Sequence, residues 1–340
     1  PAPSNEVYVD PRTKIPGSIV YAKAGNIWIQ SGDRATQLTT SGTAFQPTWS
    51  FDGEWIYYVE TKTGRGLYPY GGTPSYYDLQ TPVVLRIRPD GSGREAIGSG
   101  RISRSGGRYQ WFAWIRQPVP DPTGRTLALV SDAPEPTKSD VVLQLMEIST
   151  GSLRTLGLSE NPPLGHQDPA WRPGKGSQPL LYVMNGRDGT RAAPSIWRWD
   201  PKTKRAKALT GPGYLEPAWS PNARWIVATK QGSIGTDLVL LDASTGAEVR
   251  RLTNDGHSWD ATWSPAGDAI AFLHVEHGIV DLRMIRIADS GRDLALGDVL
   301  ELTIRSGLDP ASRPSWFIPA DQLPAPTAAP TPAAPSPSGG

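Results

Sequence analysis

Cysteine is absent from the 340 residues, which excludes disulfides, a Cys-ligated metal and a thiol nucleophile but leaves the compartment open. No stretch approaches the roughly 18 apolar residues of a membrane-spanning helix. The opening residues, Pro1 to Asp10, have no basic segment followed by an apolar one, so an intact signal peptide is not expected. Charge of one sign is not in excess either. The 34 basic residues face 33 acidic ones, a formal charge of +1, and this balance draws the chain as a whole to neither nucleic acid nor an anionic membrane. Also missing are a Gly-x-Ser-x-Gly nucleophile elbow, a phosphate loop, a dinucleotide fingerprint and a His-Glu-x-x-His zinc helix. Among the four histidines, His274 and His277 stand three apart at the end of an expected strand, and read as a loop-facing pair rather than metal ligands.

What is abundant is glycine, proline and tryptophan, at 36, 34 and 13 residues. Many turns and large aromatic anchors suit short strands, so the chain is expected to be all-β. One phrase recurs: "EPAWSPNARWIVATK" from Glu216, "DATWSPAGDAIAFLH" from Asp260, "QPTWSFDGEWIYYVE" from Gln46 and "DPAWRPGKGSQPLLYV" from Asp168. Set on its tryptophan, it gives six copies, at Trp49, Trp114, Trp171, Trp219, Trp263 and Trp316, spaced 65, 57, 48, 44 and 53 residues apart. Loop insertions around a unit of about 40 to 45 residues produce such spacings, and that is the size of a four-stranded propeller blade. Within a copy, a Trp-bearing strand, a Ser-Pro turn, an apolar strand, a loop, a third strand, a turn and a strand ending in Leu-Thr follow in order. The Trp114 copy is the most degraded, with Trp111 as a second candidate anchor.

The termini complete each other. "PSWFIP" around Trp316 supplies one strand, and the N-terminal blade lacks its first, so the expected architecture is a six-bladed β-propeller of antiparallel four-stranded blades, closed by the C-terminal strand. The order Pro-x-Trp-Ser-Pro-x-Gly, apolar strand, Asp-x-x-x-Gly, Arg-x-Leu-Thr resembles the TolB-like six-bladed propellers, whose repeats also occur in prolyl oligopeptidase-like proteins. That resemblance implies the fold; function in such propellers ranges over partner binding, ligand binding and shielding a peptidase site. The expected organisation is an N-terminal extension at 1–15, the propeller at 16–320 and a Pro/Ala/Thr/Ser-rich linker at 321–340, which suggests an exported domain tethered to an envelope.

In such a disc the loops between second and third strands share a side with those entering the next blade. The longest, "ETKTGRGLYPYGGTPSYYDLQTP", carries Tyr68, Tyr70, Tyr76 and Tyr77. It is either an adaptable binding surface or a loop folded on its own small core. Arg101, Arg104 and Arg108 enter on the same side, joined by Arg187 and Arg191, and make a basic rim for an acidic protein segment or glycan unless they are scattered surface charges. The residues three before each tryptophan, Gln46, Trp111, Asp168, Glu216, Asp260 and Arg313, should gather at the channel mouth with Trp259 beside them. Asp168, Glu216 and Asp260 are candidates for a Ca²⁺ site or for acid/base chemistry, against the plainer task of accepting hydrogen bonds from neighbouring loops. The reading favoured is a non-catalytic extracytoplasmic module that presents this face to a protein or peptide, with a hydrolase or saccharide-processing propeller as the alternative.

Overall fold

The computed structural model describes residues 6–136, 140–158, 164–186, 193–289 and 294–324. Six four-stranded antiparallel sheets make six blades. Five are continuous in sequence: blade 5, for instance, consists of Tyr214–Trp219, Trp225–Gln231, Thr236–Asp242 and Glu248–Arg251. The remaining blade is assembled from both ends of the fold. Ser315–Phe317 pairs antiparallel with Ile15–Lys23, with Trp316 opposite Ile19, ahead of Asn26–Gly32 and Arg34–Gln37. Closure at this seam depends on Gly17, which has a φ of 63° and no room for a side chain, since a Cβ would sit 2.1 Å from the Phe317 carbonyl oxygen. Residues before Ile15 lie across the last blade, where the Asp10 N–H donates to the Leu302 carbonyl.

The second strands are the apolar centre of each blade, and their residues pack into neighbouring sheets. Leu181 and Val183 of blade 4 share a core cluster with Trp219, Ile226 and Ala228 of blade 5. Three of the tryptophans that end first strands stitch this contact with their indole N–H groups, each donating to a carbonyl of the preceding blade, whereas the Trp316 indole donates to Pro16 of its own blade. Trp171 bonds Val119, Trp219 bonds Ala170 and Trp263 bonds Ala218, each at 3.2 Å. Burial of a large ring together with its one polar atom explains why this residue type recurs.

Trp114 is not part of that series. The first strand of blade 3 is Ile115–Pro120, and Pro120 pairs with Leu127 as Trp49 pairs with Ile56 and Trp171 with Leu180. Pro120 therefore takes the tryptophan's place, Gln117 the place three before it and Val119 the small-residue place, correcting the register set on Trp114 and Trp111. Physically, the Gln-Pro pair of Gln117 and Pro118 repeats Gln46-Pro47, Asp168-Pro169 and Glu216-Pro217, and it is the bend at this pair that sets the register. Trp114 is 42% exposed.

Trp219→Ala should accordingly destabilise the protein by about 3–5 kcal/mol in chemical denaturation, because a packed cavity opens and an indole bond is lost. Trp114→Ala should lower stability by less than about 1 kcal/mol. Equal losses would contradict the assigned register.

Candidate functional site

Five first strands contain a bulge whose central residue has a left-handed backbone: Gln46, Gln117, Asp168, Glu216 and Asp260, with φ of 55°, 54°, 55°, 51° and 50°. Such a conformation costs a non-glycine residue roughly 1–2 kcal/mol. It also turns the backbone N–H of each toward the preceding blade, where a side chain receives it. Gln46 N–H donates to Ser312 Oγ at 3.0 Å, Gln117 N–H to Gln46 Oε1 at 2.7 Å, and Asp168 N–H to Gln117 Oε1 at 2.8 Å. Glu216 N–H donates to Asp168 Oδ2 at 3.2 Å and Asp260 N–H to Glu216 Oε2 at 2.9 Å. Arg313 fills the sixth place, its Nε donating to Asp260 Oδ1 at 3.0 Å and Nη1 to the Pro217 carbonyl at 3.1 Å. The result is a circuit of hydrogen bonds through all six blades.

The acids are held by this circuit. Both Asp168 oxygens accept, since Gln117 Nε2 also donates to Oδ1 at 2.5 Å, and Glu216 Oε2 takes a second bond from the Thr229 hydroxyl at 2.6 Å. Withdrawal from water raises all three carboxyls above their ordinary range. Burial followed by the charges of Asp260 and Asp168 pushes Glu216 up to about 8, and burial, opposed by Arg313, pushes Asp260 up to about 6. The cavity lined by Asp168, Asp260 and Arg313 has a volume of about 40 Å³, room for a water molecule and not for a sugar ring. Among the described residues no three His, Cys, Asp or Glu side chains assemble as a metal site.

Trp111 lies elsewhere. Blade 2 carries the long loop of the sequence as a regular hairpin. Ile56–Tyr68 and Ser75–Ile87 stay paired out to Tyr68 opposite Ser75, whereas the blade's first strand stops pairing at Glu60. The ladder beyond projects by about 25 Å. A second hairpin, Arg101–Arg104 with Tyr109–Phe112, packs against it. Gly66 permits the approach, since a Cβ there would meet Gln110 O at 2.7 Å. At the junction Trp111 contacts Tyr68, Tyr70 and Tyr77, with ring centroids 5.0, 6.0 and 5.3 Å away. The tyrosines divide within the arm: Tyr68 is buried against Trp111, as a small core requires, while Tyr70 and Tyr76 are 58% and 64% exposed. Arg101, Arg104 and Arg108 are exposed on the same arm. Arg187 and Arg191 lie outside the described residues, as do 325–340 of the expected linker. Trp259 is half-buried beside Asp260 and donates to the Pro310 carbonyl at 3.0 Å.

Two features were not foreseen. On the turn face, opposite the arm, the motif tryptophans and prolines, including Trp49, Trp171, Trp219 and Trp263, line an apolar funnel of about 550 Å³; a linear motif does not reveal that symmetry will stand its rings around one axis. His274 is also interior rather than loop-facing. Its Nδ1 lies 3.1 Å from Ser258 Oγ and 3.7 Å from Asp255 Oδ2. One ring nitrogen meets both groups, so no proton can be relayed through the imidazole as a serine hydrolase requires, and Ser258 is fully buried.

The raised carboxyl of Glu216 predicts a pH dependence. An unfolded glutamate ionises near 4.5, the folded one near 8, so its contribution to stability is complete below 4.5 and fades as pH rises through 8. Glu216→Gln keeps an acceptor oxygen and cannot ionise. Between about pH 5 and about pH 9 its stability relative to wild type should rise by more than about 1 kcal/mol; a difference independent of pH would refute the shift.

No protein-family model matches the chain, and no curated protein does. Among solved structures it is similar to TolB from Acinetobacter baumannii, with a TM-score of 0.62 at 18% identity over 88% of this chain and 66% of that one. A chain of a nidogen/laminin complex aligns at 0.59 with 11% identity, covering 89% of this chain and 98% of its own. Oligogalacturonate lyase from Vibrio parahaemolyticus aligns at 0.50 with 13% identity, covering 80% and 75%. At such identities the likeness is one of fold: the chain is a six-bladed β-propeller of the architecture seen in TolB, an architecture that serves enzymes as well.

Proposed function

We propose that the protein is a non-catalytic binding module whose arm-bearing face docks a protein partner, in an extracytoplasmic setting to which the Pro-rich tract tethers it. The observation that carries this reading is the arm itself. A propeller needs no projecting double hairpin to close its ring, and exposed large aromatics beside arginines are the residue types that dominate protein-docking energetics. Tyr8 at 53%, Ile234 at 93% and Trp114 at 42% exposure extend the apolar character over the same loop-rich side. Rigid sheet beneath the arm favours recognition, because few residues lose freedom on binding.

The alternative, acid/base catalysis by Asp168, Glu216 and Asp260, is disfavoured because both Asp168 oxygens, Glu216 Oε2 and Asp260 Oδ1 already accept from N–H or hydroxyl donors and the cavity that Asp168, Asp260 and Arg313 line is only about 40 Å³. Export is supported by the composition of residues 321–340 alone.

A photo-crosslinking residue at position 76 of the full chain, replacing Tyr76, should capture one defined protein in source cells, identified by mass spectrometry, while the same residue at Phe51 on the turn face should not. Capture from position 51 alone, or a hydrolytic activity abolished by Asp260→Asn, would overturn the reading.

A further inference from the structure

The arm is far from neutral, although the chain nearly is. Residues 100–117 contain Arg101, Arg104, Arg108 and Arg116 and no acid, and the facing hairpin adds Lys62 and Arg65 against Asp78. Elsewhere several arginines are matched, Arg94 with Glu60 at 2.8 Å, Arg313 with Asp260 at 3.0 Å and Arg251 with Asp237 at 3.4 Å, while others stand singly on the surface. Among the described residues, Arg65, Arg101, Arg108 and Arg116 have no carboxylate within ion-pairing distance. Asp78 opposite Arg65 and Asp132 near Arg116 offset only part of this charge, and a ligand carrying carboxylates would relieve the repulsion that remains.

The guanidinium groups are also ordered by the rings. Arg65 stands 4.7 Å over Tyr76, Arg116 4.9 Å over Trp114 and Arg108 5.3 Å over Tyr109. A guanidinium stacked by its face keeps its N–H edge outward, which is the edge that grips a carboxylate in two parallel bonds. Tyr70 lies nearly parallel to Trp111 at 15°, and Trp111 to Phe112 at 26°, so these rings form one cluster, and their exposed surface suits aliphatic side chains. Finally, the strand Arg101–Arg104 has Tyr109–Phe112 on one side and, among the described residues, no strand on the other, an edge along which an extended backbone can pair.

Resting on the docking reading above, we propose that the arm recognises an extended acidic peptide segment of the partner, with carboxylates on the arginines and apolar side chains between the rings. Charge complementarity selects the acid, and the open strand edge selects a peptide over other polyanions.

The test uses the full chain and a fluorescein-labelled peptide of alternating Glu and Val, followed by anisotropy. Binding should weaken at least about ten-fold in the variant carrying Arg101→Glu, Arg104→Glu and Arg108→Glu, and should fall with added salt, while the thermal midpoint stays unchanged. A matched peptide of alternating Lys and Val should not bind. Failure of the Glu peptide to bind, or equal binding by the triple variant, overturns the proposal. So does tighter arginine-dependent binding of polygalacturonate or a single-stranded oligonucleotide. If the Glu peptide fails while position 76 still captures a protein, the acidic-segment proposal falls and the docking reading stands.

Discussion

The circuit of hydrogen bonds around the channel is the constraint on which the remainder of the structure depends. Each blade is a twisted sheet that meets its neighbours through apolar packing and a few bonds at its ends, contacts that leave its position about the axis less than fully fixed. The bulge residues remove that freedom. Gln46, Gln117, Asp168, Glu216 and Asp260 each accept an unfavourable backbone conformation, and in return each N–H finds a side chain one blade back. Strain of this kind persists only where surrounding bonds over-determine it. The last link runs through Arg313 and Ser312, immediately before the strand that completes the N-terminal blade, so the circuit and the seam close together.

From that arrangement follows a separation of tasks. Three acids and an arginine at the centre of a disc look at first like the makings of a site, but their polar atoms hold blades to one another. Three indole groups do the same work at the far end of the first strands. With the axis committed to structure, variation is left to the connections, and one blade uses it to raise a hairpin well clear of the disc. A stiff ring is what lets such an arm keep its arginines and rings in fixed relation, since any yielding beneath it would be multiplied at the tip.

Much of this was legible in the sequence, for a definite reason. Every blade solves the same packing problem with the same residue types, so the Trp-Ser-Pro phrase and the split terminal blade disclosed the fold. Blade 3 misled because Trp114 is a tryptophan in nearly the right place; the truer marker was the Gln-Pro pair at Gln117, which keeps the bend without the ring. The hydrogen-bonding role of Asp168, Glu216 and Asp260 could be weighed from their spacing, whereas Gln117's share in it could not, because its register was hidden. The tyrosine-rich stretch looked like a loop since glycines and prolines interrupt it. Pairing across Gly64 and Gly66 with Leu79 and Tyr77 makes it a ladder, and only the second hairpin, distant by some 40 residues, supplies the surface that steadies it.

Amide hydrogen exchange at Gln46, Gln117, Asp168, Glu216 and Asp260 tests this account most directly, since these five N–H groups form the circuit itself. If the circuit locks the blades, all five should exchange only through global unfolding, with protection equal to that of core amides such as Val227 and Leu240 and a common dependence on denaturant. Exchange of these amides by local opening, well ahead of the core, would mean that the circuit does not lock the blades and that the central carboxylates are free for another purpose.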